Sequence, residues 1–446
     1  MAVHPSFAVA FGDSTDLILR GQYSRIEQLE YSGLPTAVAR RGDVDPFQFT
    51  SATDAPRTVI QNAMVTGELT HRFAEGLAGT IRARYYETSF DEFASFPFLS
   101  FFPLQGTEAT IIRGQLPTDI EETTVDVSLL WQGRALGLQH TLLIGATFDS
   151  VDYLVGSGFD FTPIGTIDYT VGPARLSFGP IPPINSQQAN DYRTLAAYVQ
   201  DEVKIGDRLT LLLSARFAEY KLEEEAVGTA TLTDQTYTEL DPRVGASFRV
   251  ADDVSVFAGY ATGSRLSLFF SGDVGQPPVP ETSESVEAGV KFDVDRWGLS
   301  GAVAAFKITR EDIPVLSFIN PFASVQGGEQ ESKGVEVDVI WEPNESFSLL
   351  GNFAFADATV TEDSDSPGAS NVGNRLARVP ETSGRIAARY RFVEGALSGL
   401  GVGLGMTYAD EAPTNDENTG FSDSYAVFDA QASYAWDRFR IGLNVT

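Results

Sequence analysis

The chain has 446 residues, of which 43% are apolar and 21% are charged, so it can form a substantial core and is neither disordered nor collagen-like. Its 61 Asp and Glu against 31 Lys and Arg give a formal net charge of −30, which argues against a nucleic-acid partner because phosphate binding needs a basic surface. Cysteine is absent and the only histidines, His4, His71 and His140, are far apart in sequence, so we expect no metal site and no cofactor.

The start of the sequence shows no signal peptide, and the sequence contains no stretch that predicts a membrane-spanning helix. Met1 is followed by AVHPSFAVAFGDSTD, which lacks a basic start leading into an apolar run. The uncharged stretch at 395–409 is rich in glycine and shorter than the ~18 apolar residues of a spanning helix. If the chain enters a membrane, it therefore enters as strands.

Apolar and polar residues alternate with a period of two along most of the chain. In the segment 208–220, Leu211 and Leu213 share one face of an extended strand, while Thr210 and Arg216 share the other. The pattern recurs in many later segments. It predicts strands with one apolar face and one charged face.

Such segments predict about seventeen strands. Their ranges are 15–28, 60–73, 77–90, 122–132, 138–149, 193–205, 208–223, 241–250, 254–264, 282–293, 296–309, 329–342, 346–361, 376–392, 399–410, 424–436 and 437–446. Tight turns follow the even-numbered strands, and longer loops such as 29–59, 91–121 and 150–192 follow the odd-numbered ones. Short turns therefore gather at one end of the sheet and long loops at the other.

This organisation favours an all-β fold, a transmembrane antiparallel β-barrel. A soluble β-sandwich shows the same period, but many long strands with short turns at one end and long loops at the other are typical of outer-membrane barrels. The apolar face would meet lipid and the charged face a hydrated lumen. Residues predicted to face outward are Leu211, Leu213, Phe248, Val337 and Ile441. Residues predicted to face the lumen are Arg82, Arg84, Arg216, Arg249, Glu336 and Arg440. Since the lumenal face is rich in Arg, we expect the acidic excess to lie mostly in the loops.

Several short segments are weak motifs when each is taken alone. Their order and spacing along the chain are specific when they are taken together. They are DLILRGQYSR at 16–25, GLP at 33–35, LTHRF at 69–73, IRARY at 81–85, HTLLIG at 140–145, YVQDE at 198–202, LLLSAR at 211–216, DPRVG at 241–245, FAGY at 257–260, ESVEAGVK at 284–291, SKGVE at 332–336 and YAVFD at 425–429. Together they resemble the barrel of TonB-dependent outer-membrane receptors, in the ferric-siderophore branch that includes the ferrichrome-type receptors.

The resemblance implies a protein of the bacterial outer membrane, crossing it many times in contact with its lipid. Such a receptor binds a ferric siderophore outside and moves it inward when the TonB–ExbB–ExbD complex acts on a plug domain. The family has a plug before about 22 strands, and no plug-like sequence precedes Asp16. We therefore expect residues 1–446 to be a receptor barrel incomplete at both ends, with unpaired strand edges near Asp16 and Thr446. By the same resemblance, the lumenal residues above are expected to face the plug.

The segment 90–103, FDEFASFPFLSFFP, is unusual because it places many phenylalanines in a predicted loop. These rings either pack among neighbouring loops or form an aromatic wall for a bulky ligand, as siderophore pockets in the resembling family do. The predicted ligand-binding residues are Phe93, Phe96, Phe98, Phe101, Phe102, Phe269 and Phe270, with Tyr86 just below them.

The sequence predicts a receptor rather than an enzyme, because no Ser/His/Asp order, paired carboxylate site or phosphate-binding loop is convincing. The period-two glycines at 399–405 indicate a strand rather than a phosphate loop. Alternatives within the same fold are a receptor for cobalamin, haem or an oligosaccharide. A passive porin and a soluble β-rich binding protein are less favoured by the strand count and the motifs.

Overall fold

The computed structural model describes residues 1–45, 47–99, 101–171, 176–226, 231–266, 278–316, 324–363 and 370–446. The strands are β1 Ala2–Val3, β2 Ser6–Phe11, β3 Thr15–Gln28, β4 Thr58–Ala74, β5 Leu77–Pro97, β6 Glu108–Ala135, β7 Leu138–Asp168, β8 Ser186–Ile205, β9 Leu209–Ala226, β10 Thr231–Ala251, β11 Val254–Arg265, β12 Glu281–Val294, β13 Leu299–Leu316, β14 Ser324–Asn344, β15 Phe347–Glu362, β16 Thr382–Arg391, β17 Leu400–Ala409, β18 Ala412–Pro413, β19 Phe421–Ser422, β20 Tyr425–Trp436 and β21 Phe439–Val445. In these residues the helical elements are α1 (Thr36–Ala39) and two 3₁₀ turns at Asp295–Trp297 and Gly395–Leu397. No helix in this part of the chain has the length and apolar character needed to cross a membrane.

All of the predicted strands are present, and β3 has the predicted bounds. Four short strands, β1, β2, β18 and β19, were not predicted. β2 pairs with β3 from Ser6↔Arg20 to Phe11↔Thr15, and β4 pairs with the other edge of β3. The predicted unpaired edge at Asp16 is therefore wrong, because the residues before it form a strand of their own.

The chain divides into two compact units. Unit 1 comprises Met1–Trp131, Ile144–Ala197 and Phe217–Thr238, and unit 2 comprises Gln132–Leu143, Tyr198–Arg216 and Glu239–Thr446. In unit 1, β2 to β6 form an antiparallel ladder in chain order. In unit 2, an antiparallel ladder runs from β10 to β17 and continues through β20 to β21. The small strands β18 and β19 pair with each other.

The strands of unit 1 continue well beyond their predicted ends. β5 has 21 residues, β6 has 28 and β7 has 31, so the predicted loops at 91–121 and 150–192 are largely strand. A small apolar core covers the far end of these extensions. Its members are Val38, Ala109, Ile111, Ile167 and Tyr169. This core anchors the segment around α1 to the extended strands.

The apolar side chains predicted to face outward are exposed or half-buried. Leu213, Phe248 and Ile441 are 47%, 42% and 64% exposed, and Leu211 and Val337 are half-buried. None of the five lies in a dry core. The prediction that these apolar side chains point away from any packed interior is confirmed.

Candidate functional site

Five phenylalanine rings lie together near the far ends of β5 and β7, and we call them the aromatic cluster. They are Phe96, Phe98, Phe101, Phe159 and Phe161. Phe98 stacks on Phe101 with ring centroids 5.4 Å apart, and Phe161 lies 5.7 Å from Phe98 and 5.5 Å from Phe101. Phe96 meets Phe159 edge-on at 6.2 Å. All of these distances fall in the range of favourable aromatic pairs.

The aromatic cluster is open to solvent on one side. Phe101 is 56% exposed and Phe161 is 44% exposed, while the other three rings are half-buried. A contiguous exposed apolar patch is unfavourable in water, which makes the aromatic cluster a candidate binding surface. Its chemistry suits a bulky ligand that offers apolar or aromatic area.

The structure brings together only part of the predicted ligand-binding set. Phe93 lies on the opposite face of β5 from Phe96, because the two residues are three positions apart on a strand. Tyr86 shares the face of Phe96 but lies ten residues earlier, about 33 Å along the strand. Its hydroxyl donates to Asn62 Oδ1 at 2.9 Å. The placement of Tyr86 just below the cluster is therefore wrong.

The remaining predicted residues have less definite positions. Phe102 is half-buried in the turn after β5, where its N–H donates to Phe98 O at 2.9 Å. Phe269 and Phe270 lie outside the described residues. Two cluster members, Phe159 and Phe161, were missed by the sequence analysis, which placed them in a loop. The signal was their spacing of two within GFDF at 158–161, the spacing of one strand face.

An ion pair on the other face of the strands holds the two β7 rings in place. Asp160 lies between Phe159 and Phe161 in sequence, and its Oδ2 is 2.6 Å from Arg113 Nη2 and 3.2 Å from Arg113 Nε. Arg113 also donates to the Phe178 carbonyl, which brings the segment after β7 against β6. The hydrogen bonds from Arg113, followed by the Thr162 N–H, lower the pKa of Asp160 from 3.8 to about 2.

A glycine provides the surface on which Phe159 rests. A Cβ built on Gly114 of β6 would lie 2.8 Å from Phe159 Cδ1, closer than real side chains approach. Only glycine therefore allows the ring to lie flat on β6 at this point. Arg113 and Gly114 together fix the β7 half of the aromatic cluster.

We expect acid to loosen the extension of β7. The folded-state pKa of Asp160 lies below its unfolded value, so its ionised form stabilises the fold above about pH 4, and this contribution is lost as the pH falls towards 2. Amide hydrogen exchange of Phe159 and Phe161, corrected for intrinsic rates, should show more frequent opening between pH 4 and 2. In Asp160→Asn the opening should be frequent at pH 6 already and change little with acid. Asp119→Asn, which removes an exposed carboxylate of β6, is the control. Equal pH dependence in Asp160→Asn and the unchanged chain would contradict the assignment.

Three of the predicted lumenal arginines lie beside carboxylates of neighbouring strands. The pairs are Arg82–Glu68 at 3.0 Å, Arg84–Glu122, and Arg216–Asp241 at 3.9 Å. Acidic residues of neighbouring strands therefore offset the charge of these three arginines. The other three predicted lumenal residues are exposed. They are Arg249, Glu336 and Arg440, and none of them forms an ion pair within the described ranges.

A family model described as "TonB dependent receptor-like, beta-barrel" matches residues 4–446. The chain belongs to this TonB-dependent receptor family. The expected fold class is thereby confirmed, and the members of the family are outer-membrane proteins.

Individual relatives in the family are distant. The metal-pseudopaline receptor CntO of Pseudomonas aeruginosa (strain UCBPP-PA14) is 25% identical over 463 residues, covering 100% of this chain and 63% of the relative. The ferrichrome outer membrane transporter/phage receptor of Escherichia coli (strain K12) is 25% identical over 332 residues, covering 73% of this chain and 43% of the relative. The chain thus spans less than two thirds of the length of either relative.

Solved structures of TonB-dependent receptors share the fold. The ferric-catecholate import receptor Fiu of E. coli K12 superposes with a TM-score of 0.81 at 17% identity, covering 99% of this chain and 69% of that one. The siderophore receptor PiuA from Acinetobacter baumannii gives a TM-score of 0.81 at 18% identity, with the same coverage. At these identities the likeness shows the fold alone.

Family membership explains the two faces of the strands. TonB-dependent receptors are outer-membrane barrels, and such barrels present an apolar band to lipid and a polar face inward. The exposed face with Leu213 and Phe248 has the composition of that band. On β9, Arg216 and Leu213 are three positions apart and so lie on opposite faces.

Proposed function

We propose that this chain is the barrel portion of a receptor that takes up a ferric siderophore across the bacterial outer membrane. The observation that carries the proposal is the exposed aromatic cluster at the far end of the extended strands. It offers apolar area and has no metal-binding groups of its own, which suits a ligand that already wraps its iron. The relatives named as metal-pseudopaline and ferrichrome receptors support the same ligand class.

We further propose that energy for uptake comes from the TonB–ExbB–ExbD complex acting through a plug segment. Support comes from the family match and from the relatives, which are longer than this chain. In this proposal the lumenal residues listed above face the plug, and Arg249, Glu336 and Arg440 are the candidates without a partner among the described residues. Sequencing the gene on either side of this chain tests the proposal directly.

The ligand proposal is tested with membranes that carry the chain. Radiolabelled ferric ferrichrome and ferric ferrioxamine B are titrated onto these membranes and onto membranes without the chain. We expect saturable binding of at least one of them. Saturable binding of cobalamin, haem or an oligosaccharide with none of any ferric siderophore would contradict the proposal. A passive porin would show no saturable binding at all.

A further inference from the structure

The strand β17 carries a row of glycines on one face, which we call the glycine lane: Gly401, Gly403 and Gly405. The residues between them point the other way, and Leu404 is 71% exposed there. Since glycine has no side chain, long side chains from β16 and β20 can meet across the lane.

At Gly405 the lane is bridged by an ion pair. Arg385 of β16 donates from Nη1 to Asp429 Oδ1 of β20 at 2.7 Å and to Thr407 Oγ1 at 2.8 Å. A Cβ on Gly405 would lie 2.7 Å from Asp429 Oδ1, so the pair occupies the space that glycine leaves. Arg385 of β16 pairs with Thr407 of β17, and Gly405 of β17 pairs with Asp429 of β20. The Arg385 side chain therefore extends along β17 by two residues to reach Gly405.

At Gly401 the same arrangement recurs with one partner changed. Arg389 is opposite Gly403 and also leans two residues, so that a Cβ on Gly401 would lie 3.5 Å from its Nη2. The residue of β20 opposite Gly401 is Ser433, whose Oγ would lie 3.3 Å from that Cβ. The β20 residue is thus a serine opposite Gly401, whereas it is an aspartate opposite Gly405. Within the described residues, Arg389 forms no hydrogen bond or ion pair.

Two further arginines border the space left at this position. Arg391 and Arg440 line, together with Arg389 and Ser433, a cavity of about 370 Å³. Arg391 donates to the Glu345 carbonyl at 3.4 Å, and no acidic side chain belongs to the lining. Three exposed arginines and a hydroxyl therefore line this open cavity, and the nearest acidic residues, Glu342 and Glu345, lie in the adjoining pocket that Arg389 and Arg391 also line.

We propose that this arginine cavity binds an oxyanion, a phosphate or carboxylate group of a small molecule, at the position that corresponds to the Asp429 carboxylate. Guanidinium groups match the geometry of both anions with paired N–H donors. The volume of the cavity fits a small anion of the size of citrate rather than a whole iron chelate. The cavity shares Arg440 with the residues proposed to face the plug, but it does not depend on which ligand is taken up, so failure to bind phosphate or citrate would leave the siderophore proposal untouched.

The test uses the chain in detergent micelles at low ionic strength, titrated with inorganic phosphate and with citrate by calorimetry. We expect saturable binding of at least one anion, and at least tenfold weaker binding in Arg389→Gln. The sharper variant is Ser433→Asp, which supplies the missing carboxylate. It should weaken anion binding at least tenfold and leave the thermal unfolding midpoint unchanged or higher. Arg243→Gln, which removes an exposed arginine of β10 outside the cavity, is the matched control and should bind as the unchanged chain does.

Three outcomes would overturn the proposal. One is the absence of binding of both anions to the unchanged chain. Another is Ser433→Asp binding phosphate or citrate as tightly as the unchanged chain. The last is binding of an acidic octapeptide while phosphate and citrate fail to bind, which would assign the arginines to a protein partner instead.

Discussion

Replacing both Phe98 and Phe161 by alanine is expected to weaken siderophore binding by about 3 kcal/mol, on the order of a hundredfold in Kd. The two rings are neighbours at 5.7 Å, with Phe98 directly after β5 and Phe161 on β7, so their loss removes the centre of the aromatic cluster. Buried aromatic anchors at the centre of a binding surface carry most of its affinity. Titration of ferric ferrichrome or ferrioxamine B onto receptor-bearing membranes measures the effect.

The control for this variant is Phe148→Ala, on β7 like Phe161. Phe148 is 41% exposed, close to the 44% of Phe161, but lies within the predicted strand 138–149, away from the extension that carries the aromatic cluster. It should leave Kd unchanged. If both variants bind the ligand as tightly as the unchanged chain, the aromatic cluster is not the binding surface.

Glu281→Ala is expected to destabilise unit 2 by about 1 to 2 kcal/mol, because it removes the carboxylate shared by Arg265 and Arg310, whose side chains are 68% and 39% exposed and stay hydrated. Glu281 is only 6% exposed and lies 3.0 Å from Arg265 Nη2 and 2.7 Å from Arg310 Nε. It thereby ties the ends of β11, β12 and β13 together. Tryptophan fluorescence during urea unfolding in detergent should show a lower midpoint.

Glu287→Gln is the matched control for this substitution. Glu287 lies on the same strand, β12, and is exposed. Its midpoint should stay within error of the unchanged chain, since exposed charges contribute little to stability. Equal shifts in the two variants would show that loss of negative charge, rather than of the Arg265–Glu281–Arg310 contacts, is what matters.

The strands near the short turns were predictable because their residues alternate between an apolar face and a charged face. On β9 and β10 the period of two is regular, and the predicted ranges 208–223 and 241–250 fall on observed strands. Beyond that region the pattern fades. The extended parts of β6 and β7 carry Gly114, Gly156 and Gly158, and other chain segments pack against them there. Where other chain segments cover a strand face, apolar and polar residues no longer alternate regularly along the sequence. The extensions were therefore predicted as loops.

The candidate site was predictable in composition but not in arrangement. The phenylalanines at 96, 98 and 101 stand out in the sequence, whereas their partners Phe159 and Phe161 lie about sixty residues later in the chain. Their meeting depends on how β5 and β7 lie in space, which no local pattern encodes. The partners of the lumenal arginines were missed for the same reason, since each carboxylate comes from another strand.

The length of β5 has a consequence for how such a receptor can change over time. Phe96 lies nineteen residues after Leu77, about 63 Å along the strand and about 44 Å in height at a tilt near 45°, whereas the apolar band of an outer-membrane barrel is about 25 Å tall. A ligand that binds at the aromatic cluster would therefore do so well outside the hydrocarbon of the membrane. Mutations there escape the constraint that lipid imposes on every outward residue below. Recognition of a new iron carrier can evolve without disturbing insertion into the membrane.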